Sequence, residues 1–522
     1  MRAPWSGQGG DFDRVFLRCG SKARLRLHCS EVDCKHSVMS QKNNKSGIRA
    51  LLDRDPERRS IFALTDAQWR LEYAYTPMTP ECRSSLFDQL RASNLAERVA
   101  ALFAGDCVNP TEAQPAKHML LRAAQPDQEV SAQRAAFLDV AETLHQGDSV
   151  RDVLHIGIGG SDLGPRLVAD AIGSDSVRLR VHWLSTLDGR RFERLTRQLD
   201  PRHTAVVVAS KSFTTEETLT QAKAAREWLG TGFSARAWAC TAQQQRAVEF
   251  GIPGEHVLAF PQWTGGRFSL WSSIGVSAAA AIGRPAFERL LAGARAADDA
   301  FRQAPDEHRL AVLLALLMHY LRRRLDLPSL GFISYEPRLA LLGDYLQQLI
   351  MESLGKGVDL EGQPLAAPTS PLIFGGRGTD LQHSIFQALH QGPDTHPLVL
   401  VGTLQDDHAY PDWHRRQLAH LLAQARAFAC GRRDAPAHQQ LPGDRPVSLL
   451  LAERLTPESL GYLLASFEHA VFVLSVLWRI NPFDQWGVEE GKRLAQRIYP
   501  KLRSEPLTLQ GLSALAQDDQ GM

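Results

Sequence analysis

From Val150 onward, two kinds of apolar spacing alternate along the chain. Short runs such as "DVLHI", "RLRVHWLS" and "TAVVVA" have strand length and are rich in β-branched residues or contain an aromatic, and stretches such as "SDLGPRLVADAI" between them carry apolar positions at helical spacing. Helical segments then run through Leu290 to Leu325, after which "LGFISYE", "SPLIFGG" and "PLVLVGT" open a second series of strands with helices between them. Strands alternating with helices predict mainly parallel sheets with helices on both faces. The expected fold class is α/β, with two three-layer αβα units in series and helical segments at the N- and C-terminal ends. The expected boundaries are a leader at 1–48, an N-terminal helical segment at 49–124, a first α/β unit at 125–289, a helical connector at 290–329, a second unit with C-terminal helices at 330–502, and a tail at 503–522.

The leader lacks either period. It holds nine Lys or Arg against four Asp or Glu, and three of the seven cysteines. "HCSEVDCKH" from His28 matches no finger spacing, and no second ligand pair follows it. We read it as a disordered or non-native leader, with Met39 a candidate start and "SGIRALLDRDPERRSIFAL" as the first helix of the fold.

Bulk composition narrows the function. The chain has 522 residues, more than one core organises well, and a net charge of +1, which gives no general reason to expect nucleic acid as a partner. Apolar runs such as "AVLLALLMHYL" are shorter than a bilayer span, and no signal peptide is evident. Seven scattered cysteines form no disulfide framework, so the expected compartment is the reducing cytoplasm.

The candidate chemistry lies where strands end. "GIGGSDLGP", from Gly157, follows a strand and opens a helix at Ser161, whose N-terminal amides favour anions. It fails as a dinucleotide fingerprint because the third glycine position holds Asp162, a poor neighbour for pyrophosphate. "SKSFTTEET" repeats the geometry one strand later. Ser210, Ser212, Thr214 and Thr215 surround Lys211, a set suited either to a hydroxyl-rich helix cap or to a phosphate cradle. Arg267 sits among Phe268, Leu270 and Trp271, where a desolvated guanidinium needs an anion, from a ligand or from the protein. Glu352 ends an apolar helical stripe, as a general base or as an exposed surface carboxylate. His383 opens a helix after a glycine loop and shares a face with His390, at a spacing poor for a metal pair. Gln485 and Lys492 lie two turns apart on one face.

Taken in order, "GIGGSDLGP", "SKSFTTEET", "GGRFSLWSSIG", "QQLIMES", "GTDLQHSIFQALHQG" and "INPFDQWGVEEGK" resemble the motifs of the glucose-6-phosphate isomerase (phosphoglucose isomerase) family, from about Arg49 to Leu502. The resemblance implies two sugar-isomerase (SIS) domains and reversible aldose–ketose isomerisation of glucose 6-phosphate to fructose 6-phosphate through a cis-enediol(ate), in glycolysis and gluconeogenesis. It implies no cofactor and no metal. By the same resemblance Glu352 is the base, His383 and Lys492 act in ring opening, and Arg267 lies beside the enediolate. Gly160, Ser161, Ser210, Lys211, Ser212 and Thr215 hold phosphate, and Gln348 and Gln485 contact substrate. It further implies a homodimer in which His383 is contributed in trans, with no nucleic-acid or membrane partner. The chain departs from the family pattern at Leu354, at Gly376 in "FGGRGT", at "STLDG" around Thr186, and at "TEAQPAKH" from Thr111. Alternatives are a non-catalytic SIS-domain sugar-phosphate sensor and an isomerase of a related phosphosugar.

Overall fold

The computed structural model describes residues 47–173 and 178–504, with positions 508, 509 and 512. The leader up to Ser46, with its cysteines and Met39, lies outside them. The fold is already engaged at Ile48, which is buried and whose amide donates to Asp444 Oδ1 at 2.6 Å.

Eleven strands form two sheets. In chain order they are β1 (Ala63–Asp66), β2 (Trp69–Glu72), β3 (Asp152–Ile156), β4 (Arg180–Leu184), β5 (Thr204–Ala209), β6 (Ala237–Thr241), β7 (Val257–Ala259), β8 (Ser329–Ser334), β9 (Leu372–Arg377), β10 (Leu398–Thr403) and β11 (Val447–Ala452). The first sheet runs β4-β3-β5-β6-β7, all parallel. The second runs β1-β2-β11-β10-β8-β9, with a parallel core and an antiparallel hairpin on one side. Strands such as β5, β8 and β10 are buried at every residue, because helices cover both faces of a parallel sheet.

Two differences from the sequence reading have local causes. The segment 49–124, read as helical, contributes the β1–β2 hairpin to the second sheet. Its strands are four residues each, too short to establish a period. Its turn places Ala67 at φ 50°, where a glycine or asparagine would ordinarily mark the hairpin. The pattern also leaves β6, β7 and β11 unmarked.

The apolar-run argument overlooks Pro457–Trp478, a 22-residue helix with mean hydropathy 1.7, long and apolar enough to cross a bilayer. Here it is the central core helix, 89% buried across its apolar window and packed on Arg284–Gln303. A capping box of Thr456 and Ser459 starts it, and Arg479 ends it in the left-handed conformation.

This helix carries Glu468 and His469 into the core. Arg122 donates a fork to Asp298, through Nε at 2.8 Å and Nη2 at 2.7 Å, and its Nη1 meets Glu468. His469 Nε2 lies 2.7 Å from Asp298, and Trp271 Nε1 donates to Glu468 at 2.8 Å. One guanidinium thus serves two carboxylates. Burial would raise Asp298, but Arg122 and His469 hold it down at about 2. Burial pushes Glu468 up to about 7 against the weaker pull of its single Arg122 contact.

A carboxyl whose folded pKa lies above its unfolded value costs stability as pH rises between the two. Wild type should therefore lose stability between about pH 4.5 and pH 7 relative to Glu468→Gln. Urea midpoints of the two proteins across that window would show a gap that changes with pH. A constant gap would remove Glu468 as the titrating group.

Candidate active site

In the first sheet the strand order places β3 and β5 side by side, with chain progress reversing across them. In open α/β sheets this is where ligands settle, outside the carboxyl ends of the strands. The two loops singled out in the sequence leave from these ends.

After β3, the turn Gly157–Ser161 is held from below by His155. Its ring Nε2 faces the Ser161 carbonyl at 2.7 Å, so it must carry the proton, and Nδ1 accepts from Ser277 Oγ at 2.8 Å. Burial lowers this imidazole to about 4, which keeps it neutral. Gly160 is required by a close approach: a Cβ there would lie 2.0 Å from the Gly266 carbonyl oxygen and 2.8 Å from the Arg267 nitrogen. Backbone therefore meets backbone across the site floor.

After β5, Ser210 is buried and its Oγ sits 3.1 Å from Thr215 Oγ1. Phe213, at φ 50°, turns the loop and donates its amide to Ser210 Oγ, while Thr214 Oγ1 donates to Ser212 Oγ at 2.7 Å. Thr215 opens the helix Glu216–Leu229 without capping it by its own side chain, so no capping side chain claims the first-turn amides. Burial pulls the Lys211 ammonium down, and Glu112 opposes this.

The opposite wall is built around Arg267, whose side chain is 2% exposed. Its Nε donates to Ser353 Oγ at 2.6 Å, Nη1 to Gln485 Oε1 at 2.9 Å, and Nη2 to the carbonyls of Pro482 and Asp484. Burial lowers this guanidinium; Glu352, then Asp484, act in the other direction. Glu352 Oε1 stands 3.6 Å from Arg267 Nη1. Its Oε2 is buried and has no hydrogen-bond partner among the described residues. Gln348 and Glu352 are one turn apart where the helix widens to i→i+5 hydrogen bonding over Gln347–Glu352, a distortion frequent at functional sites.

Eleven of the twelve residues selected from the sequence line one cavity of about 600 Å³: Gly160, Ser161, Ser210, Lys211, Ser212, Thr215, Arg267, Gln348, Glu352, Gln485 and Lys492. Lys492, on the helix Glu489–Ser504, is largely exposed and pairs with Glu489 at 2.8 Å. His383 is the exception. It is exposed at the end of the short helix Gly378–Gln382 and does not line this cavity. Among the described residues, no three His, Cys, Asp or Glu side chains converge as metal ligands.

The sequence reading missed Glu112, Glu217, Thr218, Gln243 and Gln262, which also line the cavity. Glu112 had a signal. It lies in "TEAQPAKH", noted only as a departure, and Ala113 beside it adopts φ 50° in the tight turn Asn109–Gln114. The other departures are quiet. Leu354 is fully buried in the core beside Ser353, Gly376 is in β9 at φ 148°, and Thr186 is exposed.

Comparison with known proteins places this arrangement. Residues 72–510 match the family model described as phosphoglucose isomerase. The chain is 41% identical over 489 residues to the glucose-6-phosphate isomerase of Stenotrophomonas maltophilia, an alignment covering 92% of this chain and 96% of that protein. Against the enzyme of the same name from Xanthomonas campestris pv. campestris it is 40% identical over 489 residues, with the same coverage. The crystal structure of a glucose-6-phosphate isomerase from Chlamydia trachomatis superposes with a TM-score of 0.83 at 29% identity, covering 94% of this chain and 99% of that one. By its fold, its cavity and these matches, the chain belongs to the phosphoglucose isomerase family.

Proposed function

We propose that this protein interconverts glucose 6-phosphate and fructose 6-phosphate, with the phosphate in the cradle Ser210–Thr215 and the reacting carbons between Glu352 and Arg267. One observation carries the reading: a buried carboxylate oxygen without a partner, beside a buried guanidinium, in the cavity that also holds the hydroxyl cradle.

The chemistry follows from these positions. Ser161, Ser210, Ser212, Thr215 and Lys211 bind the phosphate by hydrogen bonds and charge, at the open end of a helix. The sugar then extends across the cavity. Glu352 takes the proton from C2 and returns it at C1 while the hydroxyl proton passes from O2 to O1, so that C1 is reduced as C2 is oxidised with no net redox change. The enediolate oxygen between these steps carries developing negative charge. Arg267, already fixed by four hydrogen bonds, supplies a cation there without reorganising. Gln348 and Gln485 contact the sugar hydroxyls. The cyclic substrate must first open, which requires an acid and a base at the ring oxygen and the C1 hydroxyl. Lys492 provides one group from this chain's own cavity. His383, exposed and outside that cavity, provides the other to the site of a second copy, in a closed two-fold homodimer. A sensor built on the same domains would have no use for the Glu352–Arg267 pair.

Replacing Glu352 with Gln keeps the shape and removes the proton acceptor. Turnover in a coupled assay should fall by about 10²–10⁴-fold with substrate affinity largely kept. Near-wild-type turnover would exclude Glu352 as the base. The pair Ser210→Ala and Thr215→Ala should weaken phosphorylated sugar by about 1.5–3 kcal/mol per lost charge-assisted bond and leave free sugar almost unaffected, as calorimetry would show. Equal losses would place the phosphate elsewhere. Mixing Glu352→Gln with His383→Ala chains should restore activity, because a mixed dimer has one site with both defects and one with neither. If subunit exchange is demonstrated and no activity returns, His383 does not act in trans.

A further inference from the structure

Asp484 receives more hydrogen bonds than any residue proposed to touch substrate receives at its own position in the cavity wall. Its Oδ1 accepts from Lys356 Nζ at 2.6 Å, and its Oδ2 from Thr111 Oγ1 at 2.6 Å and Asn481 Nδ2 at 2.9 Å. Its backbone carbonyl accepts from Lys356 Nζ at 2.5 Å and from Arg267 Nη2 at 3.1 Å. Four chain segments meet here: the helix end that follows Glu352, the floor carrying Arg267, the turn carrying Glu112, and the loop leading to Gln485. Both partners are largely shielded, with side chains 13% and 8% exposed.

The charges form two pairs. Arg267 faces Glu352, and Lys356, one turn beyond Glu352, faces Asp484. Arg267 also touches Asp484, but through the carbonyl. The carboxylate itself is already taken by Lys356, Thr111 and Asn481. Without Lys356, the Asp484 carboxylate would be a buried anion lacking its cation, and the Arg267 guanidinium, which already touches the Asp484 carbonyl, would be drawn toward it. Moving toward Asp484 would draw Arg267 off Gln485 and off the enediolate position, and its field there would be partly cancelled.

We infer that Lys356 is a positioning residue: by holding the Asp484 carboxylate it keeps the Arg267 charge directed into the cavity. The inference rests on the reading of Arg267 given above. It concerns transition-state charge, so it predicts a loss in kcat rather than in KM.

The test is a cycle of variants assayed for kcat and KM with fructose 6-phosphate, each checked for its melting temperature. Lys356→Met should lower kcat by about 10–100-fold with KM changed less than about threefold. Adding Asp484→Asn to it removes the stranded anion and should return kcat to within about fivefold of wild type, a recovery that a loss of packing would not show. Lys356→Gln, which keeps a donor for the Asp484 carbonyl without the charge, covers the case in which the methionine variant does not fold. It should hold the melting temperature and still lower kcat. Wild-type kcat in the Gln variant, a loss confined to KM, or a double variant no better than the single one each overturns the inference. Arg267→Ala is the control for the underlying reading: unchanged kcat there would remove both, whereas a collapse of kcat in Arg267→Ala with wild-type kcat in Lys356→Met and Lys356→Gln would remove this inference alone.

Discussion

A guanidinium that is 2% exposed has to be surrounded by acceptors, and at Arg267 this requirement organises the whole cavity. Its donors are met by Ser353 on the helix of Glu352, by Gln485, and by two carbonyls of the loop before it. The neighbouring backbone is pressed against Gly160, which joins the loop after β3 to the segment of Arg267. Segments more than two hundred residues apart in the chain are thus held to one cation. The alternative to this arrangement is an unpaired buried charge, a far larger cost than any single hydrogen bond returns.

Behind Arg267 lies a second buried cation, Arg122, with a different purpose. Its partners Asp298 and Glu468 are in the core, as is His469, which bonds Asp298, and Trp271, at the end of the segment that begins with Arg267, is tied to the same cluster through Glu468. His118 stacks on Phe268 at 4.6 Å between ring centroids, and Phe268 packs on Phe483. Arg267 is therefore supported on one side by polar contacts and on the other by rings that rest on a buried ionic cluster. Such support holds the guanidinium in one place in the cavity wall, as the role proposed for it requires.

Much of this was legible in the sequence. The alternating strand and helix periods gave the two α/β units, and the loops after β3 and β5 announced themselves through Gly157–Ser161 and Ser210–Thr215 because anion binding at a helix start needs small and hydroxyl-bearing residues. Residues that act in place of a missing signal were harder. The β1–β2 hairpin was hidden by Ala67 in a conformation that glycine usually advertises, and Glu112 by Ala113 in the same way. β11, "VSLLLA", is a single six-residue apolar run set between the polar stretch "GRRDAPAHQQLPGDRP" and the start of the central helix, with no alternation of its own. Lys356 and Asp484 are one turn and one residue from positions that were selected, and only their meeting in space distinguishes them from ordinary surface charges.

The pairing of β2 with β11 sets a schedule on synthesis. Glu72 and Leu449 are register partners, so the hairpin has no strand to join until nearly all of the chain has been made. At about 5–20 residues per second that wait is on the order of 20–75 s. Throughout it, Phe62, Trp69 and Leu71, which end fully buried, have neither their sheet nor the central helix Pro457–Trp478 to cover them. The first sheet, by contrast, is complete once β7 has emerged. The nascent chain thus presents a completed first sheet alongside an early apolar segment that stays uncovered while it waits for the last strand.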